Sequence, residues 1–259
     1  MRVAIIPFLL ILVWSTSCKN KSAPETPVTV SFTELKARKC VVDTQCAEIK
    51  LVFPVVSGGK EAATRSINDT IGAFVRMVVG GEPSLPINQA VDSAVMNLHL
   101  MLEDQLSIIP DYSMGFVHEL TSKNLIQNSK VISFELSSYS FTGGAHGNFG
   151  SALFSFRIND GGLVQLTDII QDTASLRPLL ETGFVESKST QTGETYTLID
   201  LVFPESIPLP MPLQWCVVRE GVRFTYNPYE VASYGVGQTD IVLTWEKLGK
   251  LADKSKWLD

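Results

Sequence analysis

The apolar positions change period along the chain, and each change marks a different kind of element. Ala47–Val56 reads as a strand, and Pro54 within it points to an edge or a strand end. Gly58-Gly59 then marks a turn. Ile67, Ile71, Phe74 and Val78 recur at spacings of three and four, which predicts a helix ended by Gly80-Gly81. Ile87, Val91, Ala94, Leu98, Leu102, Leu106 and Ile109 form the apolar stripe of a second helix over 87–109. From Met114 the period falls to two, and 115–126, 130–142 and 149–158 read as successive antiparallel strands. In the middle strand Ile132, Phe134 and Leu136 share one face and Ser133, Glu135 and Ser137 the other. Tyr139 and Phe141 then take the opposite parity, which predicts a bulge near Ser137-Ser138.

The second part of the chain is less regular. Asn159 to Gly162 forms a turn, the strand pattern resumes briefly over Leu163–Ile169, and a helix covers Thr173–Lys188, followed by a polar loop over Ser189–Glu194. Pro204, Pro208, Pro210 and Pro212 punctuate an irregular segment. Strands follow at 213–219, 222–226 and 239–244, with a short terminal helix around Glu246–Ala252. The fold class is α+β, an antiparallel sheet with helices packed on a face. Residues 30–259 make one unit of two intimately packed halves, roughly 30–160 and 161–259.

The N-terminus carries a different signal. Arg2 precedes an apolar run from Val3 to Val13 broken only by Pro7, then small residues Ser15-Thr16-Ser17, then Cys18. That is the layout of a secretory signal peptide, and the run is too short to span a bilayer, which takes about 20 residues. A cysteine directly after the small residues resembles the lipobox of bacterial lipoproteins. The expectation is a leader over residues 1–17, a lipid on Cys18, and a flexible tether over 18–29 with Pro24 and Pro27. The protein would then sit in the cell envelope, held to a membrane by its lipid and facing the periplasm or the exterior.

Composition narrows the partners. The formal net charge is -6, and removal of Arg2 makes it more negative. No Lys/Arg-rich run offsets this, so nucleic-acid binding is excluded and a basic protein partner is compatible. Cys40 and Cys46 bracket Val41-Val42-Asp43-Thr44-Gln45, a turn with short strands on each side. An exported protein suits a bridge there, and a pair of reduced, half-buried thiols is the alternative. Cys216 reads as a buried strand residue.

Two segments concentrate candidate chemistry. Ser140-Phe141-Thr142-Gly143-Gly144-Ala145-His146-Gly147-Asn148 joins two strands. Gly143, Gly144 and Gly147 allow positive φ and close backbone approach, and His146 sits at the tip. The segment is either a binding loop of exposed amides with an imidazole, or a demanding hairpin turn in which His146 hydrogen-bonds neighbouring backbone. Phe224 to Gly237 gathers Tyr226, Tyr229, Tyr234 and Glu230 around a proline turn, which suits a binding surface and equally a loop pinned over a sheet. The candidate binding set is Gly143, Gly144, His146, Gly147, Tyr229, Glu230 and Tyr234. His99, His118 and His146 lie in separate elements without a partner at ligand spacing, so neither a metal nor a cofactor is expected; His99 reads as half of a solvated pair with Glu103. No nucleophile elbow is present and no catalytic residue is assigned. Glu135, Asp168, Glu230 and Asp240 are the candidates for a dispersed carboxylate pair of a glycan hydrolase, with nothing to single out two.

These segments carry a family resemblance. Phe141-Thr142-Gly143-Gly144-Ala145-His146-Gly147 resembles the Gly-Gly-Ala-His signature of a bacterial envelope domain of unknown function. Gly221–Leu248, with Asn227-Pro228-Tyr229-Glu230, Tyr234, Gly235 and Gly237, resembles the C-terminal half of the same unit, and Leu163–Ile169 fits the stretch between. The likeness spans roughly residues 45–250. In that family the unit forms the extracellular part of a lysozyme-sensing anti-sigma factor and the non-catalytic region of a peptidoglycan deacetylase. It implies an α+β fold and a non-catalytic binding or sensing role, with peptidoglycan or a lysozyme-like protein as ligand. A carboxylate-based glycan hydrolase and a structural lipoprotein of an envelope complex are the competing readings.

Overall fold

The computed structural model describes residues 26–42, 44–82 and 84–259. The leader over residues 1–17, the lipid site Cys18 and most of the tether lie outside the described residues. Two sheets organise the rest. The first is built from β1 (Thr29–Val42), β2 (Gln45–Ser57), β3 (Phe116–Gln127), β4 (Val131–Phe141) and β5 (Asn148–Arg157), paired in that order. The second is an antiparallel ladder of β6 (Gln214–Val217), β7 (Gly221–Tyr226) and β8 (Thr239–Thr244). The fold is α+β as expected, but the larger sheet is mixed: β2 and β3 run parallel from Ala47↔Phe116 to Leu51↔Leu120. The crossover between them carries α1 (Glu61–Val78) and α2 (Ile87–Ile108), as parallel neighbours require.

The two helices bury one stripe each. Ile67, Ile71 and Val75 of α1 and Val91, Leu98 and Leu102 of α2 pack on Ile49, Leu51, Phe134 and Phe156 of the sheet. Each such side chain removed from water contributes about 1.5–3 kcal/mol. His99 is buried beside this stripe while its Nε2 pairs with Glu103 at 3.2 Å, so the expected solvated pair is exposed only on the glutamate side. Pro54 pairs with Phe32 beyond the last parallel partner of β2, where the strand has lost its second neighbour and a missing N–H costs no ladder bond.

A second core surrounds α4 (Thr173–Thr192), which runs past the predicted Lys188 into the expected polar loop, and the inner face of β6, β7 and β8. Short helices α3 (Leu166–Ile169), α5 (Leu198–Leu201) and α6 (Trp245–Leu248) complete the fold. The predicted strand over Leu163–Ile169 is therefore one bridge, Leu163↔Phe156, followed by α3 with a Gln165/Asp168 capping box. The predicted bulge in β4 is absent. Its pairing with β5 runs unbroken through Ser137↔Ser151 and Ser138↔Gly150, and the bulge falls in β3 between Asn124 and Ile126. The parity change in β4 has another cause: β6 covers the back of the strand, so both faces of Val131–Leu136 are buried, and only beyond them does Tyr139 emerge.

Cys40 and Cys46 face each other across the β1–β2 ladder and form the disulfide, closing strands far longer than the short ones expected. Replacing both with serine should lower stability by about 2 kcal/mol. Urea unfolding of the double variant checks this, and a change under about 0.5 kcal/mol would show the hairpin holding itself.

Register fixes which features share an end of the sheet. Cys46, Phe116, Phe141 and Asn148 lie together at one end. Thr29, Ser57 and Gln127 lie at the other, where the Thr26 carbonyl accepts from Gly59 N at 2.8 Å and the Val28 carbonyl from Gln127 Nε2 at 2.8 Å. Among the described residues no helix is long and apolar enough to cross a membrane.

Candidate functional site

The loop between β4 and β5 takes the backbone its glycines permit. Gly143 and Gly144 have φ of 97° and 90°, and a Cβ on Gly147 would stand 2.4 Å from a ring carbon of Tyr139. His146 Nδ1 donates to its neighbour's carbonyl, Gly147 O, at 3.0 Å, which fixes the proton on that nitrogen. The hydroxyl of Tyr234 donates to the same carbonyl at 2.9 Å, and its ring stacks on His146 with centroids 3.8 Å apart at 18°. The segment is thus a hairpin with a backbone-bonded histidine, as one sequence reading has it, while His146 and Gly144 remain exposed.

The second segment docks onto the first. Asn227 acts as a short extra rung on β5: its Oδ1 accepts from Ser151 N at 2.7 Å and its Nδ2 donates to Ser151 O at 3.1 Å. Glu230 N donates to Asn227 O at 3.2 Å, closing a turn with Pro228 and Tyr229 at its centre. Tyr229 sits at φ 68°, among the described residues the one non-glycine with positive φ, in the place where such a proline turn favours glycine. Its ring is 54% exposed and lies 5.7 Å from that of Tyr234. Phe149 meets Tyr234 edge-on at 5.7 Å and pairs across the ladder with Tyr139. Tyr139, His146, Phe149 and Tyr229 therefore form one exposed aromatic face around Tyr234. Glu230 joins its rim, accepting from Asn227 Nδ2 at 3.1 Å.

Beneath this face lies a buried polar layer between the sheets. Arg223 of β7 donates through Nη1 and Nη2 to the two carboxylate oxygens of Glu135 at 3.1 and 3.0 Å, and Nη2 lies 3.0 Å from Asp240 Oδ1. Burial by itself pushes the Glu135 carboxyl up, but the Arg223 fork and the hydroxyl of Ser151 more than offset it and hold it below its ordinary value. Lys188 is buried on α4 and donates to the carbonyls of Val236 and Gln238 at 2.7 and 2.8 Å, pinning the strand of chain that carries Tyr234. Burial lowers the pKa of that lysine and raises the Cys216 thiol to about 12. Of the other candidate carboxylates, Asp168 accepts from Gln165 N and Arg157, and Glu230 is on the rim. Among the described residues no group of three His, Cys, Asp or Glu side chains stands where it could hold a metal ion.

A protein-family model described as "Deacetylase PdaC" matches residues 40–149. The chain is similar to that family over those residues. The segment takes in the disulfide hairpin, both helices and the glycine loop, but stops short of the Asn-Pro-Tyr-Glu turn, so the family match is shorter than the expected span of 45–250. The fold carries the likeness further. A DUF3298-family protein from Bacteroides fragilis superposes with a TM-score of 0.67 at 15% identity, covering 88% of this chain and 94% of that one. One from Pseudomonas aeruginosa does so with 0.61 at 17%, covering 90% and 98%. None of the curated proteins matches the chain.

Gly143, Gly144, His146, Gly147, Tyr229, Glu230 and Tyr234, the candidate binding residues, come together at this end of the larger sheet, and Cys18 lies outside the described residues. Sequence reasoning missed Tyr139 and Phe149, which it treated as strand residues, and Lys188 and Arg223, which hold the loops from below. The parity break at Tyr139 was the available signal.

Proposed function

We propose that the chain is a non-catalytic recognition module of the bacterial cell envelope, lipid-anchored through Cys18, that binds a cell-wall component or an envelope-directed protein such as lysozyme. The observation that carries this reading is the convergence of two segments far apart in sequence on one exposed aromatic face. Their contacts use carbonyls, amides and ring faces, and the buried carboxylate Glu135 is committed to Arg223. The deacetylase named for the family is not what these groups favour. The resemblance to the lysozyme-sensing unit and the acidic surface support a basic protein as one ligand.

The test is a pull-down. Protein beginning at Lys19, which contains every residue described, is immobilised and exposed to lysozyme and to solubilised peptidoglycan fragments. Saturable binding of either that survives physiological salt, where the Debye length is about 8 Å, is the expected result. Binding that is absent, or that disappears at that salt, refutes it and favours a structural lipoprotein.

A further inference from the structure

We infer that the aromatic face takes the neutral pyranose rings of a glycan. The inference rests on the recognition reading of the same face and names its ligand chemistry.

Three observations lead there. The first is the kind of surface. Tyr139, His146, Phe149 and Tyr229 are exposed together around Tyr234, and the last three are in ring contact with it. Flat apolar faces with polar tips suit a ligand whose own faces alternate C–H and hydroxyl groups.

The second is preorganisation. Tyr229 is kept at a backbone angle that costs a tyrosine and would cost a glycine nothing. Strain of this kind persists only where its surroundings over-determine it, and here the Asn227 clamp and the Pro228 turn do so. The result of the strain is an exposed ring at a fixed place beside Tyr234. A tyrosine needed only for packing would be buried.

The third is charge. The chain has no lysine or arginine from Val131 to Phe156 or from Phe224 to Glu246, the stretches that build the face. On the sheet beside it Glu119 stands opposite Tyr139 and Lys50 lies 3.3 Å from that carboxylate, so this cation is already met by a charge of the chain itself. A basic protein would find little: Asp240 and Glu135 are held by Arg223, Glu119 by Lys50, and Glu230 at the rim accepts from Asn227. The charges beside the face are met within the chain, and a neutral, hydroxyl-rich ligand is what it fits.

The experiment is calorimetric titration of the protein beginning at Lys19 with a β-1,4-linked N-acetylglucosamine tetramer at low and physiological salt. Saturable binding, little changed between the two salts, is expected. Tyr229→Gly removes the ring at a position whose φ suits glycine, so the melting temperature should hold or rise while tetramer affinity falls at least about tenfold. Tyr229→Phe keeps the ring and should keep most of the affinity. Failure to bind tetramer, in protein that still captures lysozyme or peptidoglycan in the pull-down, overturns the glycan inference and leaves the recognition reading standing. Tetramer binding untouched by Tyr229→Gly overturns the assignment to this face. Capture of neither tetramer, lysozyme nor peptidoglycan overturns both.

Discussion

Replacing Arg223 with methionine should destabilise the protein by about 3–5 kcal/mol, because it leaves Glu135 charged, buried and without its fork. Lys123, exposed and 4.0 Å from Glu135, is a poor substitute. Adding Glu135→Leu to the methionine variant should restore at least half of the loss, since an apolar pair of similar volume often equals a buried ion pair. Urea unfolding of the two single variants and the double variant supplies the cycle. A cost below about 1 kcal/mol for the single substitution would mean the pair is hydrated and the layer between the sheets is not a dry one. The pair also sets a pH dependence. With the folded-state pKa of Glu135 lowered, its contribution is complete above the unfolded value near 4.5 and is lost as the pH falls through the folded value. In Arg223→Met burial acts on Glu135 without the fork and pushes its carboxyl up, so part of the loss at neutral pH should be regained as the pH falls and the carboxyl is protonated.

The second large effect is expected at the C-terminus. Trp257 belongs to the second core, and its segment is latched to the β3–β4 hairpin. Asn128 Nδ2 donates to the Trp257 carbonyl at 2.8 Å, Lys130 Nζ to Ser255 O at 2.7 Å, and Ser129 N to the Asp259 carboxylate at 3.1 Å. Trp257→Ala should cost about 3–5 kcal/mol, read from the thermal midpoint and the calorimetric enthalpy. The indole N–H finds no acceptor among the described residues, so Trp257→Phe should cost far less, about 1.5 kcal/mol or under. Equal losses in the two variants would show that the nitrogen, not the ring, is what matters.

Periodicity made the helices and most strands legible. The stripe on α2 and the alternation in β3, β4 and β5 placed those elements to within two residues. What periodicity could not carry was the neighbour on the far side. Ser133, Glu135 and Ser137 look like a solvent face until β6 covers them and Arg223 arrives from 88 positions along the chain. The parallel β2–β3 pairing was hidden for the same reason, since no local residue encodes it. The site was legible as two motifs, because glycine, proline and clustered aromatics are local signals. Their meeting was not, because it depends on Asn227 reaching β5 and Lys188 reaching the carbonyls of Val236 and Gln238.

The fourteen residues of β1 separate the chain's entry at Thr29 from the end where the glycine loop stands. At about 3.3 Å per residue that strand spans about 45 Å, more than five screening lengths at physiological salt. For a chain tethered through Cys18 and standing with β1 along the membrane normal, a bilayer's surface charge would fade before it reached the aromatic face. Ligand affinity there should consequently be the same whether the supporting lipids are anionic or zwitterionic.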